Sequence, residues 1–257
     1  MRNQYLKNLN KIEFVVTSAC TGRCKHCSQG EHTTFGEHIN SDIASDAVRM
    51  VASEYDIKTV MVFGGEPLLY PEVVYEIMSA AKEMKVPVRQ VITNGYFSRS
   101  REKIREVAEM LSLSGANDLL LSVDTFHQET IPIDVVLDFA FEVVKVGVPI
   151  RLQPAWLVSA EDDNPYNLET RRILRNFLDM NIPVSDGNVI FPEGNAMKFL
   201  AEYFKKSSPE NPYVDNPYDV RCLSFSHDGD VLDGNVYRTD VMEIIKNYRP
   251  KIQMEKL

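Results

Sequence analysis

Three cysteines within eight residues constrain this chain more than any other feature of its sequence. Cys20, Cys24 and Cys27 are separated by three and then two residues, directly after the apolar run 12–17, and the fourth cysteine of the chain is Cys222. A disulfide framework spreads its cysteines through a sequence, so this spacing indicates a metal site instead. We therefore expect the fold to place its chemistry at this cysteine loop.

Two kinds of metal site fit three close cysteines. A structural zinc site usually takes four protein ligands, supplied as two separated pairs of cysteine or histidine, and no second pair follows in this sequence. A cubane iron–sulfur cluster fits better, because three cysteines leave one of its four irons open to a small molecule. A non-catalytic metal-binding module stays the alternative as long as the cysteines are considered alone.

The CxxxCxxC spacing, with His26 just before the last cysteine, resembles the signature of the radical S-adenosylmethionine (radical SAM) superfamily. A second motif, Gly64-Gly65-Glu66-Pro67, follows the second predicted strand and is similar to the family motif whose backbone binds the methionine ammonium of the cofactor. The resemblance implies that Cys20, Cys24 and Cys27 ligate a [4Fe–4S] cluster whose open iron binds S-adenosylmethionine. It also implies cleavage of that cofactor to methionine and a 5′-deoxyadenosyl radical, in other words an enzyme.

The same resemblance implies further contacts at the ends of later strands. The cofactor-lining positions of the family match His26, Asn94 after the third predicted strand, and Ser122 at the end of the fourth. Asp124 and His127 follow directly, where a carboxylate and an imidazole could form a proton-transfer pair at the barrel mouth. A helix-capping Asp and a surface His are the alternative interpretation of these two residues.

Two loops of the sequence receive simpler interpretations. The polar stretch 28–41 is interpreted as an irregular loop around the cluster, with His32 and His38 as surface residues or, alternatively, as ligands or substrate contacts. The later segment Pro192-Glu-Gly-Asn195-Ala is similar to the Pro-x-Gly-Arg-Ala of many family members, but Asn195 replaces the arginine. That replacement removes the charge which a salt bridge to the cofactor carboxylate needs.

Apolar periodicity predicts six strand-then-helix units in a row. The predicted strands are 12–17, 58–63, 88–92, 118–124, 149–153 and 188–191. This alternation indicates an α/β fold of parallel strands with right-handed crossovers and functional residues just after the strands. The resemblance implies a partial (β/α)6 barrel over residues 11–206.

The remaining residues, 207–257, are predicted to form a short hairpin-helix extension. Residues 222–237 are predicted to be a hairpin that turns at Asp228-Gly229, and a short helix follows over 240–248. The tail resembles the start of the SPASM or twitch extensions that hold auxiliary clusters, but it has one cysteine and we expect no auxiliary cluster. Cys222 is then either a buried free thiol or a catalytic group that the hairpin presents over the barrel mouth.

Composition excludes some partners. The net charge of −9 and a pI of about 5.1 argue against a broad nucleic-acid-binding surface. No apolar run has signal-peptide or membrane-spanning character, so a cytoplasmic location without membrane contact is expected. The resemblance implies an electron donor such as flavodoxin or ferredoxin. Its SPASM-like tail favours a peptide or protein side chain as substrate, as in ribosomal-peptide maturation, with a small metabolite as the alternative.

Overall fold

A six-stranded parallel sheet organises the fold, in a computed structural model that describes residues 2–205 and 209–250. The strands, in chain order, are β1 (Lys11–Val15), β2 (Thr59–Phe63), β3 (Val88–Thr93), β4 (Asp118–Ser122), β5 (Ile150–Gln153) and β8 (Cys222–Phe225). Their order across the sheet is β5-β4-β3-β2-β1-β8, and the two edge strands β5 and β8 do not pair with each other. The sheet is therefore an open barrel, which confirms the predicted α/β class and partial barrel.

Helices follow the strands along the chain. They are α1 (Ser41–Glu54), α2 (Pro71–Glu83), α3 (Arg101–Ser114), α4 (Thr125–Gln128), α5 (Ile133–Lys145), α6 (Pro165–Leu174), α7 (Asn195–Phe199) and α8 (Val241–Asn247). Local chemistry fixes several ends: the Asn40 side chain accepts a hydrogen bond from the N–H of Ile43, and Gly115 ends α3 at φ +94°. No helix in these described ranges is long and apolar enough to cross a membrane.

Buried and half-buried residues alternate along the strands. The buried residues form an apolar outer face, and the half-buried residues form a more polar inner face. In β1, Ile12 and Phe14 are fully buried against the helices, whereas Lys11, Glu13 and Val15 are half-buried and face the inside of the curved sheet. The strand register places polar or charged residues beside them on the inner face, including Gln90, Asp118, Arg151 and Gln153. Met61 and Leu120 also lie on this face, so the barrel interior presents polar side chains together with apolar ones.

The predicted sixth strand runs parallel to β5 as a short, interrupted element. Val184 forms a parallel bridge to Leu152 in β5, and residues 188–189 form β7, which pairs in parallel with β6 (Ala155–Trp156) just after β5. Both residues of β7 are exposed. A further strand that was not predicted there, β8, pairs in parallel with β1 at the other edge of the sheet. Packing explains this addition, because Phe225 is fully buried and stacks on Phe14 with ring centroids 4.7 Å apart.

The predicted C-terminal hairpin is wrong in its pairing. The turn at Asp228-Gly229 does form, since the N–H of Gly229 donates to the carbonyl of Ser226. The strand before that turn pairs with β1, however, and the antiparallel ladder lies beyond it, between β9 (Asp230–Val231) and β10 (Gly234–Asn235). The predicted domain boundary after residue 206 and the SPASM-like character of the tail stay predictions, with 206–208 and 251–257 outside the described residues.

Candidate functional site

The loop after β1 brings its three cysteines together at the carboxyl end of the sheet. Cys20 and Cys24 are buried, Cys27 is half-buried, and all three are free thiols. A methyl group placed on Gly22 would lie 3.2 Å from the Sγ of Cys24 and 3.6 Å from that of Cys20. The two sulfur atoms therefore face one small space, as the ligands of a shared cluster must.

Burial opposes ionisation of these thiols until a cation compensates for it. Burial and the nearby Glu66 carboxylate raise the pKa of Cys20 to about 12, and burial and Asp124 raise the pKa of Cys24 well above its usual value. A bound iron cluster would supply the missing positive charge. Two N–H donors already approach the Cys20 Sγ, from Gly22 N at 3.3 Å and Asn94 Nδ2 at 3.6 Å. The cysteine thiolates of this loop are soft ligands, which suit the iron of a [4Fe–4S] cluster.

His32 is half-buried and contacts the third cysteine. Its Nε2 lies 3.0 Å from the Sγ of Cys27, and its Nδ1 lies 2.7 Å from the carbonyl oxygen of Ser18. The second contact fixes the ring beside the sulfur. The sequence did not decide between a surface residue and a contact of the site, because the loop has no periodicity from which a side-chain direction could be inferred.

The Gly-Gly-Glu-Pro motif follows β2 and packs directly on the start of the cysteine loop. The N–H groups of Gly65 and Glu66 donate to the carbonyls of Thr17 and Ala19, both at 2.8 Å. A Cβ on Gly64 would lie 2.6 Å from the Thr17 oxygen, and one on Gly65 would overlap the Ala19 oxygen. Both glycines are needed because two backbones touch here, which joins the two motifs into one site.

The buried Glu66 carboxylate stabilises this turn through hydrogen bonds. Its Oε1 accepts hydrogen bonds from the N–H of Leu68 (2.9 Å) and the hydroxyl of Thr93 (2.7 Å), and its Oε2 accepts from the N–H of Asn94 (2.8 Å). The side chain is fully buried, and burial raises its pKa to about 7 against these hydrogen bonds. The carboxylate is occupied within the protein, so contact with a cofactor would have to come from the backbone of the motif.

Asp124 and His127 form a pair just beyond the half-buried Ser122, which ends β4. Asp124 is fully buried; its Oδ2 accepts from His127 Nδ1 (2.8 Å) and from the N–H of Ala155 (3.0 Å). Its Oδ1 also accepts the N–H of His127 at 3.0 Å, so the residue is a helix cap as well. Burial favours a raised pKa for Asp124, but the adjacent His127 imidazole and its hydrogen bonds outweigh that effect and lower the pKa to about 2.

This pair lies against the cysteine loop. One potential ligand atom from each of Cys24, His26 and His127 lies within 4.8 Å of the others, and the two imidazole rings meet edge to face at 4.9 Å. His26 Nδ1 is buried and has no hydrogen-bond partner among the described residues. Burial lowers the pKa of His26 to about 4, which keeps the ring neutral. The structure thus brings together residues that the sequence assigned to separate roles.

Cys222 is not brought to this site. It begins β8 opposite Lys11, at the amino end of β1, whereas the cysteine loop follows the carboxyl end of that strand. Because β1 has five residues, its two ends lie four residue steps apart, about 13 Å. This pairing does not support the alternative in which Cys222 lies over the barrel mouth, and it agrees with the interpretation as a free thiol packed in the fold. Cys222 is a half-buried free thiol whose pKa is raised by burial and by Glu13.

Asn195 holds the cysteine loop from the far side, a role that the sequence did not indicate. Its N–H donates to the carbonyl of Cys27 (2.9 Å), and its side-chain Nδ2 donates to the carbonyls of Cys24 (3.1 Å) and Gly30 (3.0 Å). The preceding Gly194 has φ +52°, and a Cβ there would overlap the backbone of the loop. The residue that replaces the family arginine therefore shapes the cluster-binding loop.

We expect Asn195→Asp to destabilise the fold by ~3 kcal/mol and to lower iron retention. The substitution removes the NH2 donor and turns a carboxylate toward two buried carbonyl oxygens. Urea unfolding and iron content after gel filtration measure the two effects. Asn188→Asp is the matched control, because Asn188 is exposed and its Oδ1 only accepts from the Tyr213 hydroxyl. Equal losses of stability and iron in both variants would contradict the proposed role of Asn195 in holding the cysteine loop.

Comparisons with known proteins agree with this geometry. The family model of the radical SAM superfamily matches residues 14–201. The GTP 3′,8-cyclase of Clostridium perfringens is 22% identical over 250 residues, which cover 96% of this chain and 65% of that protein. A probable GTP 3′,8-cyclase of Sulfolobus acidocaldarius is 30% identical over 161 residues, which cover 59% of this chain and 49% of the relative.

The fold is also similar to solved structures. Streptococcus suis SuiB bound to S-adenosylmethionine superposes with a TM-score of 0.62 at 12% identity, covering 95% of this chain and 67% of SuiB. That likeness concerns the fold alone. The chain spans between 41% and 65% of the first three curated relatives it matches.

Proposed function

This chain belongs to the radical SAM superfamily, and from that premise we propose that it cleaves S-adenosylmethionine reductively and uses the 5′-deoxyadenosyl radical to abstract hydrogen from a substrate. The superfamily uses a [4Fe–4S] cluster, which when bound would pass one electron to the cofactor. Methionine and the radical are the products of that cleavage, and 5′-deoxyadenosine forms once the radical takes a hydrogen atom. The observation that carries the proposal is the packing of the Gly-Gly turn on the loop that holds the three cysteines, in which the sulfur atoms of Cys20 and Cys24 face one space.

The residues around the cysteines have distinct parts in this proposal. Cys20, Cys24 and Cys27 hold the cluster, and the close backbone contact at Gly64 and Gly65 presents main-chain groups to the methionine end of the cofactor. The remaining predicted contacts, His26, Asn94 and Ser122, lie at the loop or at strand ends on the same edge of the sheet. An external one-electron donor such as flavodoxin or ferredoxin reduces the cluster in this scheme.

The open barrel supports a peptide or protein side chain as the substrate. Because β5 and β8 are not paired with each other, the sheet does not close into a full barrel. That interior presents half-buried polar side chains, such as Gln90 and Gln153, which suit a substrate rich in amide groups. SuiB, whose fold is similar, has also been solved with its precursor peptide SuiA.

A nucleoside triphosphate is the second candidate, because the relatives named above are GTP 3′,8-cyclases. Such a ligand needs cations that are free to meet phosphate. On the inner face, Lys11 pairs with Glu13 at 2.7 Å, and Arg151 forms two 2.8 Å hydrogen bonds to Asp118. Both cations are neutralised by carboxylates, which favours the peptide over the nucleotide.

Anaerobic reconstitution tests the proposal. The iron-loaded chain is mixed with dithionite and S-adenosylmethionine, and 5′-deoxyadenosine and methionine are measured. If neither product forms from a fully loaded cluster, the proposed activity is wrong. Deuterated candidate peptides and deuterated GTP then distinguish the substrates, since deuterium found in 5′-deoxyadenosine identifies the molecule that lost hydrogen.

We expect His127→Ala to impair the substrate step more than cofactor cleavage. With Nδ1 bound to Asp124, the other ring nitrogen is free to accept a proton from a substrate, and loss of such a base costs about 10²–10⁴-fold in rate. Product formation should fall by that factor, while substrate-free 5′-deoxyadenosine formation stays within about threefold of wild type. His227→Ala, in the turn after β8, is the control. Loss of substrate-free cleavage would place His127 in the cofactor site.

A further inference from the structure

We propose that the cluster-free chain binds one divalent cation of the zinc class through Cys24, His26 and His127. This site lies beside the cluster loop and shares one residue with it. It does not depend on the substrate proposed above, because only the cluster-free protein is involved.

The geometry needs a small contraction to bind such an ion. The three ligand atoms lie within 4.8 Å of one another. Zinc at its usual distances of about 2.3 Å to sulfur and 2.0–2.1 Å to nitrogen places its ligand atoms about 3.5 Å apart. Closing that difference takes movements of about 1 Å, and both Cys24 and His26 belong to a loop without helix or strand.

Asp124 supplies the outer contact that metal-binding histidines usually make. Its carboxylate accepts the Nδ1–H of His127 at 2.8 Å, which leaves Nε2 as the free donor atom of that ring. Asp124 is itself held by the N–H of Ala155, so the imidazole is oriented before any ion arrives. Carboxylate–histidine–metal arrangements of this kind fix the ring and raise ligand basicity.

His26 provides an independent sign that a partner belongs here. Its Nδ1 is buried and makes no hydrogen bond to any described residue, although buried polar atoms are nearly always paired. Charge also balances, because the Cys24 thiolate and the buried Asp124 carboxylate together match a doubly charged ion. Three protein ligands leave a fourth position for water, as in the open class of zinc sites.

The cation and the cluster compete in this proposal. Both need the Cys24 thiolate, so a chain that holds the cation cannot complete the three-cysteine set. The alternative zinc site consists of the three cysteines, Cys20, Cys24 and Cys27. The two sites share Cys24, and their other two ligands differ. Variants that remove Cys20 or His127 therefore separate them.

Cobalt(II) binding to the full chain, purified anaerobically without cluster, is the test. We expect about one Co²⁺ per chain, with the sulfur-to-cobalt absorption of a single thiolate, and displacement by Zn²⁺. Cys20→Ser should bind within about threefold of wild type. His127→Ala should bind about 100-fold more weakly or worse, since even outer contacts contribute 10–100-fold to metal affinity.

A second variant tests whether misfolding, rather than loss of a ligand, causes weaker binding. His26→Phe keeps an aromatic ring in the same place, and it should weaken Co²⁺ binding like His127→Ala while circular dichroism shows a folded chain. Adding Zn²⁺ before reconstitution should slow iron uptake in wild type and not in either histidine variant. The proposal is overturned if Cys20→Ser abolishes Co²⁺ binding while the histidine variants keep it, or if the folded wild type binds no Co²⁺.

Discussion

Cys24→Ala should leave the reconstituted chain without a cluster rather than with a slower enzyme. Two remaining thiolates cannot hold a cubane against solvent, and the Sγ of Cys24 is one of the two sulfurs that share the space beside Gly22. Iron content should fall from about four per chain to near zero, with loss of the cluster absorption and of 5′-deoxyadenosine formation. Iron and sulfide assays with electron paramagnetic resonance of the reduced sample measure this.

Cys222→Ser is the matched control for this loss. Cys222 lies at the amino end of the sheet, so its variant should keep about four irons per chain. A full cluster in Cys24→Ala would mean that His26 or His32, both beside the cysteines, replaces the missing ligand. An iron content near eight in wild type that fell by half in Cys222→Ser would instead reveal an auxiliary cluster.

Gly65→Ala should destabilise the chain by about 3–5 kcal/mol and also prevent cluster binding. Its Cβ would overlap the carbonyl oxygen of Ala19 and lie 2.6 Å from the carbonyl carbon. Both obstacles are backbone atoms in the buried contact between the turn after β2 and the cysteine loop, so no side-chain rotation relieves the clash. The loop must move away, which breaks the hydrogen bond from Glu66 N to Ala19.

Urea unfolding of the cluster-free chain measures the fold effect, and iron content after reconstitution measures the site effect. Gly36→Ala is the control, because it lies in the cysteine loop and an added Cβ would meet nothing closer than 3.5 Å. That variant should change stability by less than about 1 kcal/mol. If Gly65→Ala were as stable as Gly36→Ala and bound a full cluster, the close packing of the two motifs would be wrong.

Local patterns in the sequence determined the motifs and most of the sheet. The cysteine spacing and the Gly-Gly-Glu-Pro turn identified the family, which the family model over residues 14–201 confirms. The first five strands were placed within a few residues of β1 to β5, because each is a short apolar run bounded by turn residues. Helix starts such as Pro71 at the beginning of α2 also follow from neighbouring residues alone.

Only the tertiary structure decided which distant residues meet. Strand β8 joins the sheet beside β1, because Phe225 has Phe14 to stack on, more than two hundred residues earlier in the chain. That pairing carried Cys222 to the amino end of the sheet. Strand partners depend on packing across the sheet, which periodicity within one segment does not record.

The same reason explains the site residues that the sequence missed or misassigned. His32 reaches Cys27 from a loop without periodicity, and Asn195 holds that loop from a helix start far along the chain. Glu66 matched the family motif in residue type, yet its carboxylate accepts hydrogen bonds from Thr93 and Asn94 at the end of β3. Residue type and spacing determined which chemistry the chain carries, whereas side-chain direction in loops was fixed only by long-range contacts, because no local rule sets it.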